Sequence, residues 1–149
     1  MRKPIALLAL VFLAACQPKR EISIDDLTTR DVTLPGGQVI EAQVMIDQKD
    51  QARGMMFRES LAPDRGMLFL HKSMSLYAYW MYQVKIPLDI IWMDDQRRIV
   101  EISADTPPCF TVAHECPTFG GHKSSKNVLE LAGGMAKKYG LHEGQYMRF

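Results

Sequence analysis

Three charged residues of this chain stand beside or inside apolar runs, where an ionised side chain is costly to bury unless it is paired. Asp89 lies inside the run 87–92, Arg58 follows the run 55–57, and Glu130 stands between two leucines. In one interpretation Arg58 binds an anion, while Asp89 acts as a base or ligand acceptor in the same pocket. In the other, which we favour, the two form a structural pair or Asp89 accepts backbone N–H bonds. Glu130 either lies on the surface or joins the same polar pocket.

Aromatic residues are concentrated between positions 77 and 92, which contain two tryptophans and three tyrosines. One interpretation is a stacking platform for a sugar or another flat ligand. The other is core packing, where aromatic side chains contribute most of the buried area. Alternation along a strand would put Trp80 and Tyr79 on opposite faces, and at least one of those faces must be core. We favour a core position for Trp80.

Other arrangements that carry chemistry are missing from the sequence. Ser124 and Ser125 lack the G-x-S-x-G surroundings of a nucleophile, and the four histidines lack the spacing of a zinc motif. The ten methionines stand mostly in apolar runs, where they fill gaps in a core, so we favour packing over copper binding. We therefore expect neither a cofactor nor a metal.

The cysteine pair Cys109 and Cys116 lies in one loop, at a spacing that favours a disulfide in an oxidising compartment. A metal site is the competing interpretation, since His114 and His122 are near, but C-x4-H-x-C-x5-H matches no common zinc module. A redox-active pair is less favoured because the C-x-x-C spacing is missing. We predict a structural disulfide that staples the long loop 104–126.

The first fifteen residues have the three parts of a secretory signal: a positive start, a short apolar run over 5–13, and small residues before a cleavage point. The run is too short for a bilayer span of about 20 residues. Because Leu-Ala-Ala precedes Cys16, the segment resembles the lipobox of bacterial lipoprotein precursors. We expect cleavage before Cys16 and acyl chains on it, which anchor a protein stably when there are several. An ordinary signal peptide that ends in cysteine is the alternative.

The expected location follows from this anchor. No Asp follows Cys16, which in a Gram-negative host implies the periplasmic face of the outer membrane. In a Gram-positive host it implies the outer face of the cell membrane. Loss of Arg2 and Lys3 lowers the 18 Lys and Arg residues to 16, against 17 Asp and Glu, so the mature charge is about −1. Such a balance does not favour nucleic acid as a partner.

The remaining 134 of 149 residues are enough for one domain with a real core. We assign residues 1–15 to a signal peptide, 16–26 to a lipidated tether, and 27–149 to a single globular domain. Alternating apolar residues predict a hairpin from 31 to 46. Helices are predicted over 48–53 and 134–139.

Further strands are predicted over 67–70, 76–81, 88–93, 98–103, 127–131 and 145–149. Many short strands with two small helices are typical of a mostly β (α+β) fold. We expect a small antiparallel barrel or a rolled sheet.

Several motifs recur together along the domain: Gly-Met-Met-Phe-Arg at 54–58, Gly-Met-Leu-Phe at 66–69, Tyr-Trp-Met at 79–81, Ile-Pro-Leu-Asp-Ile-Ile at 86–91, and Val-Leu-Glu-Leu at 128–131. Their order and spacing resemble the domain of unknown function 192 family, also called uncharacterised protein family 0127. The resemblance covers roughly residues 28–149. It implies a small β-rich single domain, often exported, and it implies no activity.

The sequence therefore predicts an exported, lipid-anchored accessory protein of the cell envelope that binds a small ligand or a partner protein. Its candidate ligand-binding residues are Arg58, Trp80, Asp89 and Glu130. The alternative is an envelope hydrolase that uses Asp89 or Glu130 as an acid or base. No spacing supports a second catalytic group beside either carboxylate, so the sequence leaves open whether the protein is an enzyme.

Overall fold

The computed structural model describes residues 28–149, and the predicted signal peptide, lipidated Cys16 and tether lie outside these residues. Within 28–149, no helix is both long and apolar enough to cross a membrane. In chain order the elements are β1 (Thr29–Thr33), β2 (Val39–Met45), α1 (Gln48–Arg53), β3 (Arg65–Ser75), β4 (Tyr79–Trp80), β5 (Leu88–Met93), β6 (Ile99–Thr106), a 3-10 turn (Ala113–Glu115), β7 (Thr118–Phe119), β8 (Ser125–Ala132) and α2 (Met135–Lys138).

Six of these strands form one mixed, rolled sheet in the order β1-β2-β3-β8-β5-β6, and β4 and β7 form a separate pair. All neighbours in the large sheet are antiparallel except β2 and β3, which are parallel. The chain between β2 and β3 contains α1, as a parallel connection requires more than a tight turn. The predicted mostly β fold is confirmed, with a rolled sheet rather than a closed barrel.

The centre of the sheet is buried on both sides, because side chains of successive strand residues point to opposite faces. Every residue of β5 is buried. On the face that carries α2, here called the α2 face, the central side chains are Ile91, Leu129 and Leu131. On the opposite α1 face, Ile90, Trp92 and Val128 pack with methionines that include Met55 and Met81. The methionines predicted to fill the core do so at most positions, although Met74 is exposed.

The hairpin and the first helix confirm the sequence prediction. β1 and β2 pair in register from Thr29 opposite Gln43 to Thr33 opposite Val39. Helix α1 spans the predicted residues 48–53 and ends at Gly54, whose φ of 44° lies in the left-handed region that glycine tolerates. Asp47 occupies the N-cap position, but its side chain makes no capping hydrogen bond.

Two strand predictions were wrong. Of the predicted strand 76–81, only Tyr79 and Trp80 pair with a neighbour, because the preceding β3 is long and extends to Ser75. The predicted final strand 145–149 makes only single bridges, between Tyr146 and Arg98 and between Arg148 and Thr33. These last residues thereby contact both edges of the rolled sheet, which explains why their alternating pattern resembled a strand.

Candidate ligand-binding site

A cleft of about 580 Å³ opens where β2, α1 and the segment after α1 meet. Its polar wall contains Gln43 from β2 together with Asp50, Arg53 and Arg58. Apolar groups complete the wall, among them the exposed side chain of Phe57. The cleft thus offers charge, hydrogen-bonding groups and an apolar surface to one small molecule, as binding pockets commonly do.

Backbone and side-chain hydrogen bonds hold the cleft walls in place. The Gln51 amide of α1 donates to the carbonyls of Met45 and Leu70, 3.2 Å away in both cases, and so fixes α1 against β2 and β3. The Phe57 N–H donates to the carbonyl of Gln83 at 2.8 Å. The guanidinium of Arg58 donates to the side-chain oxygen of Gln43. Arg58 is therefore oriented by a partner that carries no charge of its own.

A smaller pocket of about 30 Å³, here called the inner pocket because it contains Glu130 from the centre of the sheet, shares Arg53, Gly54 and Met56 with the cleft. Aromatic rings make up much of its wall, namely Phe69, Tyr79, Trp80 and Tyr82. Glu130 also lines it and is the carboxylate of this inner pocket. The cleft and the inner pocket are adjacent parts of one site.

Glu130 stands in the centre of the sheet, on β8 between Met67 of β3 and Ile90 of β5. Its side chain is buried, with 4% of its surface exposed, and its Oε2 atom has no hydrogen-bond partner within the described part of the chain. Burial raises the pKa of Glu130 from 4.5 to about 8, and the nearby positive charge of Arg58 opposes that rise. At neutral pH the carboxyl group is therefore mostly protonated and can donate a hydrogen bond.

Tyr79 forms one wall of the inner pocket and is held by other aromatic groups. Its ring packs edge-on against Phe69 and Trp92, with centroids 5.1 Å and 5.8 Å away. Its hydroxyl lies 3.0 Å from Nε2 of His71, and the His71 ring stacks on Tyr77. Burial raises the pKa of Tyr79, with further contributions from Glu130 and Tyr77, and burial lowers the pKa of His71. Both groups are consequently neutral at neutral pH.

Asp89 lies elsewhere, because it points to the α2 face of the sheet. Its two carboxylate oxygens accept backbone N–H bonds from Asp105, Gly134 and Ala136 at 2.7, 3.1 and 2.5 Å. It is fully buried and lines neither the cleft nor the inner pocket. The hypothesis that Asp89 and Arg58 share one pocket is therefore wrong, and Asp89 adopts the backbone-accepting arrangement that the sequence also allowed.

The other three predicted site residues are close together, since Arg58 lines the cleft while Trp80 and Glu130 line the inner pocket. The core position expected for Trp80 was wrong: 40% of its surface is exposed, and its ring lies 5.4 Å from that of Tyr82. The physical reason is that β4 pairs only with the two residues of β7, in a pair of strands that is separate from the large sheet. Trp80 therefore has one side against the protein and one toward solvent.

Sequence reasoning did not select Arg53 or Gln43 as site residues. Arg53 stands in the last turn of α1, directly before the Gly54–Arg58 motif, and Gln43 belongs to the polar alternate set of β2. Proximity to that motif was an available signal for Arg53. Nothing in the sequence showed that Gln43 would face Arg58, because that contact depends on how the chain after α1 returns to the sheet.

The loop that contains Cys109 and Cys116 lies beside the site, and a disulfide cross-links it as predicted. Cys109 and Cys116 form a disulfide. The backbone of Cys109 donates to the carbonyl of Met81 and accepts from the N–H of Gln83, at 3.1 and 3.0 Å. The loop is thus attached to the segment that carries Tyr82, which forms part of the wall of the inner pocket.

Among residues 28–149, no cluster of three or more His, Cys, Asp or Glu side chains is arranged to hold a metal ion.

Two solved structures are similar to this chain. One is a protein of unknown function from Novosphingobium aromaticivorans DSM 12444, with a TM-score of 0.74 and 29% identity over 81% of this chain and 85% of that one. The other, from Sinorhizobium meliloti 1021, is described as a candidate transcription regulator, with a TM-score of 0.70 and 23% identity over 79% of this chain and 89% of that one. At that identity the second match shows the shared fold alone.

Comparison with curated proteins gives no match. The model of the domain of unknown function 192 family (DUF192), described as an uncharacterized ACR, matches residues 31–149. That span includes β2, the Gly54–Arg58 motif, β5 and β8, and so the cleft and the inner pocket lie in the matched region. The chain belongs to the DUF192 family.

Proposed function

We propose that this protein is a ligand-binding accessory protein of the cell envelope, whose cleft takes a small anionic molecule with an apolar portion. The observation that carries the proposal is the position of Arg53 and Arg58 in the wall of the cleft. Within the described part of the chain, neither guanidinium lies within ion-pairing distance of a carboxylate. Asp50 is the acidic residue of the cleft wall, so the two guanidiniums leave a net positive charge there.

The character of the remaining walls supports the same ligand class. Phe57, Met45 and Met56 provide apolar surface beside the charged groups, and Trp80 and Tyr82 stand at the inner pocket with part of their surfaces accessible. Guanidinium groups bind carboxylates and phosphates through charge-assisted hydrogen bonds, whereas the apolar walls favour a ligand that is more than an inorganic ion.

The envelope location belongs to this proposal and rests on the sequence of residues 1–16. An export signal that ends in Leu-Ala-Ala-Cys supports lipid attachment at Cys16 and tethering to a membrane. A disulfide between Cys109 and Cys116 suits an oxidising compartment. The proposed partners are thus the membrane, through the lipid, and a small molecule in the surrounding compartment.

A hydrolase of envelope material is the alternative function, and the burial of the Glu130 carboxyl group in the wall of the inner pocket is the observation that favours it. A carboxyl group that remains neutral at neutral pH can serve as a general acid. Asp89 does not assist, since both its oxygens are used by backbone N–H groups on the other face of the sheet. Glu130 is the single carboxylate that residues 28–149 contribute to the inner pocket, and we therefore favour binding over hydrolysis.

Thermal unfolding of the purified protein with a library of carboxylates and phosphate esters tests the proposal. A ligand that binds only the folded state raises the midpoint of unfolding. We expect several anions to raise the midpoint of the wild type and of Arg148→Met, an exposed control, but not that of Arg58→Met. Equal shifts in both variants, or no shift with any anion, would refute an anion-binding cleft. Turnover of an envelope polymer that Glu130→Gln abolishes would support the hydrolase instead.

A further inference from the structure

The inner pocket contains the features of a second, more selective part of the site. It is small, its rim is aromatic, and it is lined by a buried carboxyl group whose Oε2 atom has no partner within residues 28–149. A buried polar atom without a partner destabilises the folded state, so such atoms in folded proteins usually contact water or a ligand. The lack of a partner for Glu130 therefore points to an occupant of this pocket.

The size of the pocket limits what that occupant can be. A cavity needs about 10–15 Å³ to hold one water-sized group. At about 30 Å³, the inner pocket has room for a small group, and a planar carboxylate fits it better than a bulkier tetrahedral phosphate. The cleft of about 580 Å³ next to it has room for the rest of a ligand.

The charges around the pocket favour an anion over a cation. Arg53 lines the pocket itself, and Arg58 is near enough to influence the titration of Glu130. A protonated carboxyl group can donate its O–H to an oxyanion, whereas an ammonium group would need Glu130 to be ionised. A carboxylic acid beside a guanidinium provides a neutral donor and a positive charge, which together match one carboxylate.

We propose that the inner pocket binds the carboxylate group of the ligand, with the protonated Glu130 donating its O–H to one carboxylate oxygen and Arg53 supplying the positive charge. This inference rests on the proposed anion-binding function and names the chemical class of the ligand. Binding is then linked to protons, because ionisation of Glu130 would both remove the donor and place two negative charges side by side.

The other titratable groups near Glu130 do not produce this pH dependence. Tyr79 and Tyr82 line the pocket from β4 and the segment that follows it, and burial raises the pKa of Tyr79 further above that of Glu130. His71, which contacts Tyr79, has a lowered pKa and is neutral throughout the range in which Glu130 titrates. Arg53 and Arg58 carry guanidinium groups, which proteins do not deprotonate. A decrease in ligand affinity that begins near pH 8 would therefore indicate the ionisation of Glu130.

The test measures the affinity of benzoate by calorimetry from about pH 6 to about pH 10, with phenyl phosphate and benzylamine as probes of the other classes. For the wild type, we expect benzoate affinity to be constant up to about pH 8 and then to fall nearly tenfold per pH unit. Glu130→Gln keeps a neutral donor, so it should bind benzoate with no break. Glu130→Leu should lose benzoate and keep phenyl phosphate. Glu115→Gln, in an exposed loop, should behave as the wild type.

Each other outcome overturns the inference. If Glu130→Gln shows the same break as the wild type, or if neither shows one, Glu130 does not contact the carboxylate and the pocket holds only water. Preferential binding of benzylamine would indicate a cation site. Binding of phenyl phosphate without benzoate, lost in Arg58→Met, would overturn the inner carboxylate pocket and leave the proposed function standing. If no anion binds, both are refuted.

Discussion

Glu130 and Asp89 stand on adjacent strands, β8 and β5, and point to opposite faces of the same sheet. Glu130 is paired with Ile90, and Asp89 with Leu131, so consecutive positions of one ladder carry the two buried carboxyl groups. Asp89 accepts three backbone N–H bonds. Glu130 has an oxygen without a partner in the described chain and lines a pocket. Two acids in similar sequence surroundings thus have different environments: backbone N–H groups satisfy Asp89, whereas Glu130 lines the proposed binding pocket.

Replacing Asp89 should destabilise the protein without a specific effect on binding. Asp89→Ala would leave the N–H groups of Asp105, Gly134 and Ala136 without their acceptor in a buried position. We expect a loss of about 3 kcal/mol or more, since each buried unsatisfied donor costs roughly 1–3 kcal/mol. Urea unfolding measures this loss, with the exposed Asp95→Asn as the control that changes stability little. An Asp89→Ala variant with wild-type stability would contradict the structural role.

Replacing Glu130 should change how stability depends on pH. Its pKa is higher in the folded state, about 8, than the ordinary 4.5, so the folded protein binds more protons between these values. Its contribution to stability is therefore fully present below about pH 4.5 and is lost as pH rises toward 8, at up to about 1.4 kcal/mol per pH unit.

Glu130→Gln should remove this loss because its amide does not ionise. Relative to the wild type, the variant should gain stability between pH 5 and pH 8, by an amount on the order of a few kcal/mol. Urea unfolding at several pH values provides the measurement, and Glu115→Gln is the exposed control. If the stability difference between Glu130→Gln and the wild type is the same at all these pH values, Glu130 does not have a raised pKa.

Gly120 should tolerate no side chain, because it packs directly on Trp92. A Cβ atom at Gly120 would approach the Trp92 ring to 2.3 Å, and the φ of 67° is itself unfavourable for other residues. Gly37 has a similar positive φ but open space around it. We expect Gly37→Ala to cost about 1 kcal/mol and Gly120→Ala about 2–4 kcal/mol in unfolding free energy. Equal losses in the two variants would show that the ring does not constrain position 120.

Removal of the disulfide should loosen one wall of the inner pocket while the sheet stays folded. The Cys109 backbone is hydrogen-bonded to Met81 and Gln83, on either side of Tyr82. In the double variant Cys109→Ser, Cys116→Ser, we expect a loss of about 2–3 kcal/mol, as for a short closed loop. Hydrogen exchange should show faster exchange at the Gln83 amide and little change in β5. Unchanged exchange at Gln83 would indicate that the loop does not support this wall.

Local pattern was enough to predict much of the fold. β5 spans the predicted residues 88–93. The β1–β2 hairpin lies where alternating apolar residues predict it, and α1 ends at Gly54 as predicted. These elements form from signals contained within a few residues. The parallel pairing of β2 with β3 was not predictable in the same way, because it depends on where the chain returns after α1.

The candidate site was harder to predict for a physical reason. A strand that is buried on both faces, such as β5, gives no alternation from which the orientation of Asp89 can be read. Glu130 lies in an equally apolar strand, and its face is fixed by its pairing with Met67 and Ile90. Trp80 is exposed because its strand, β4, has only two residues, and the amino-acid composition of this segment did not indicate so short a strand. Position in the sheet, rather than residue type, separated the site residues from the structural ones.

The most direct test of the account is an NMR titration of the backbone amides with benzoate at about pH 7, where Glu130 is mostly protonated. We predict that the largest shift changes fall on residues 43–45, 50–58 and 79–84 and on Glu130, with little change at the N–H groups that surround Asp89. Changes that fall mainly on the α2 face, or no saturable change anywhere, would contradict the assignment of the cleft and inner pocket as the ligand site.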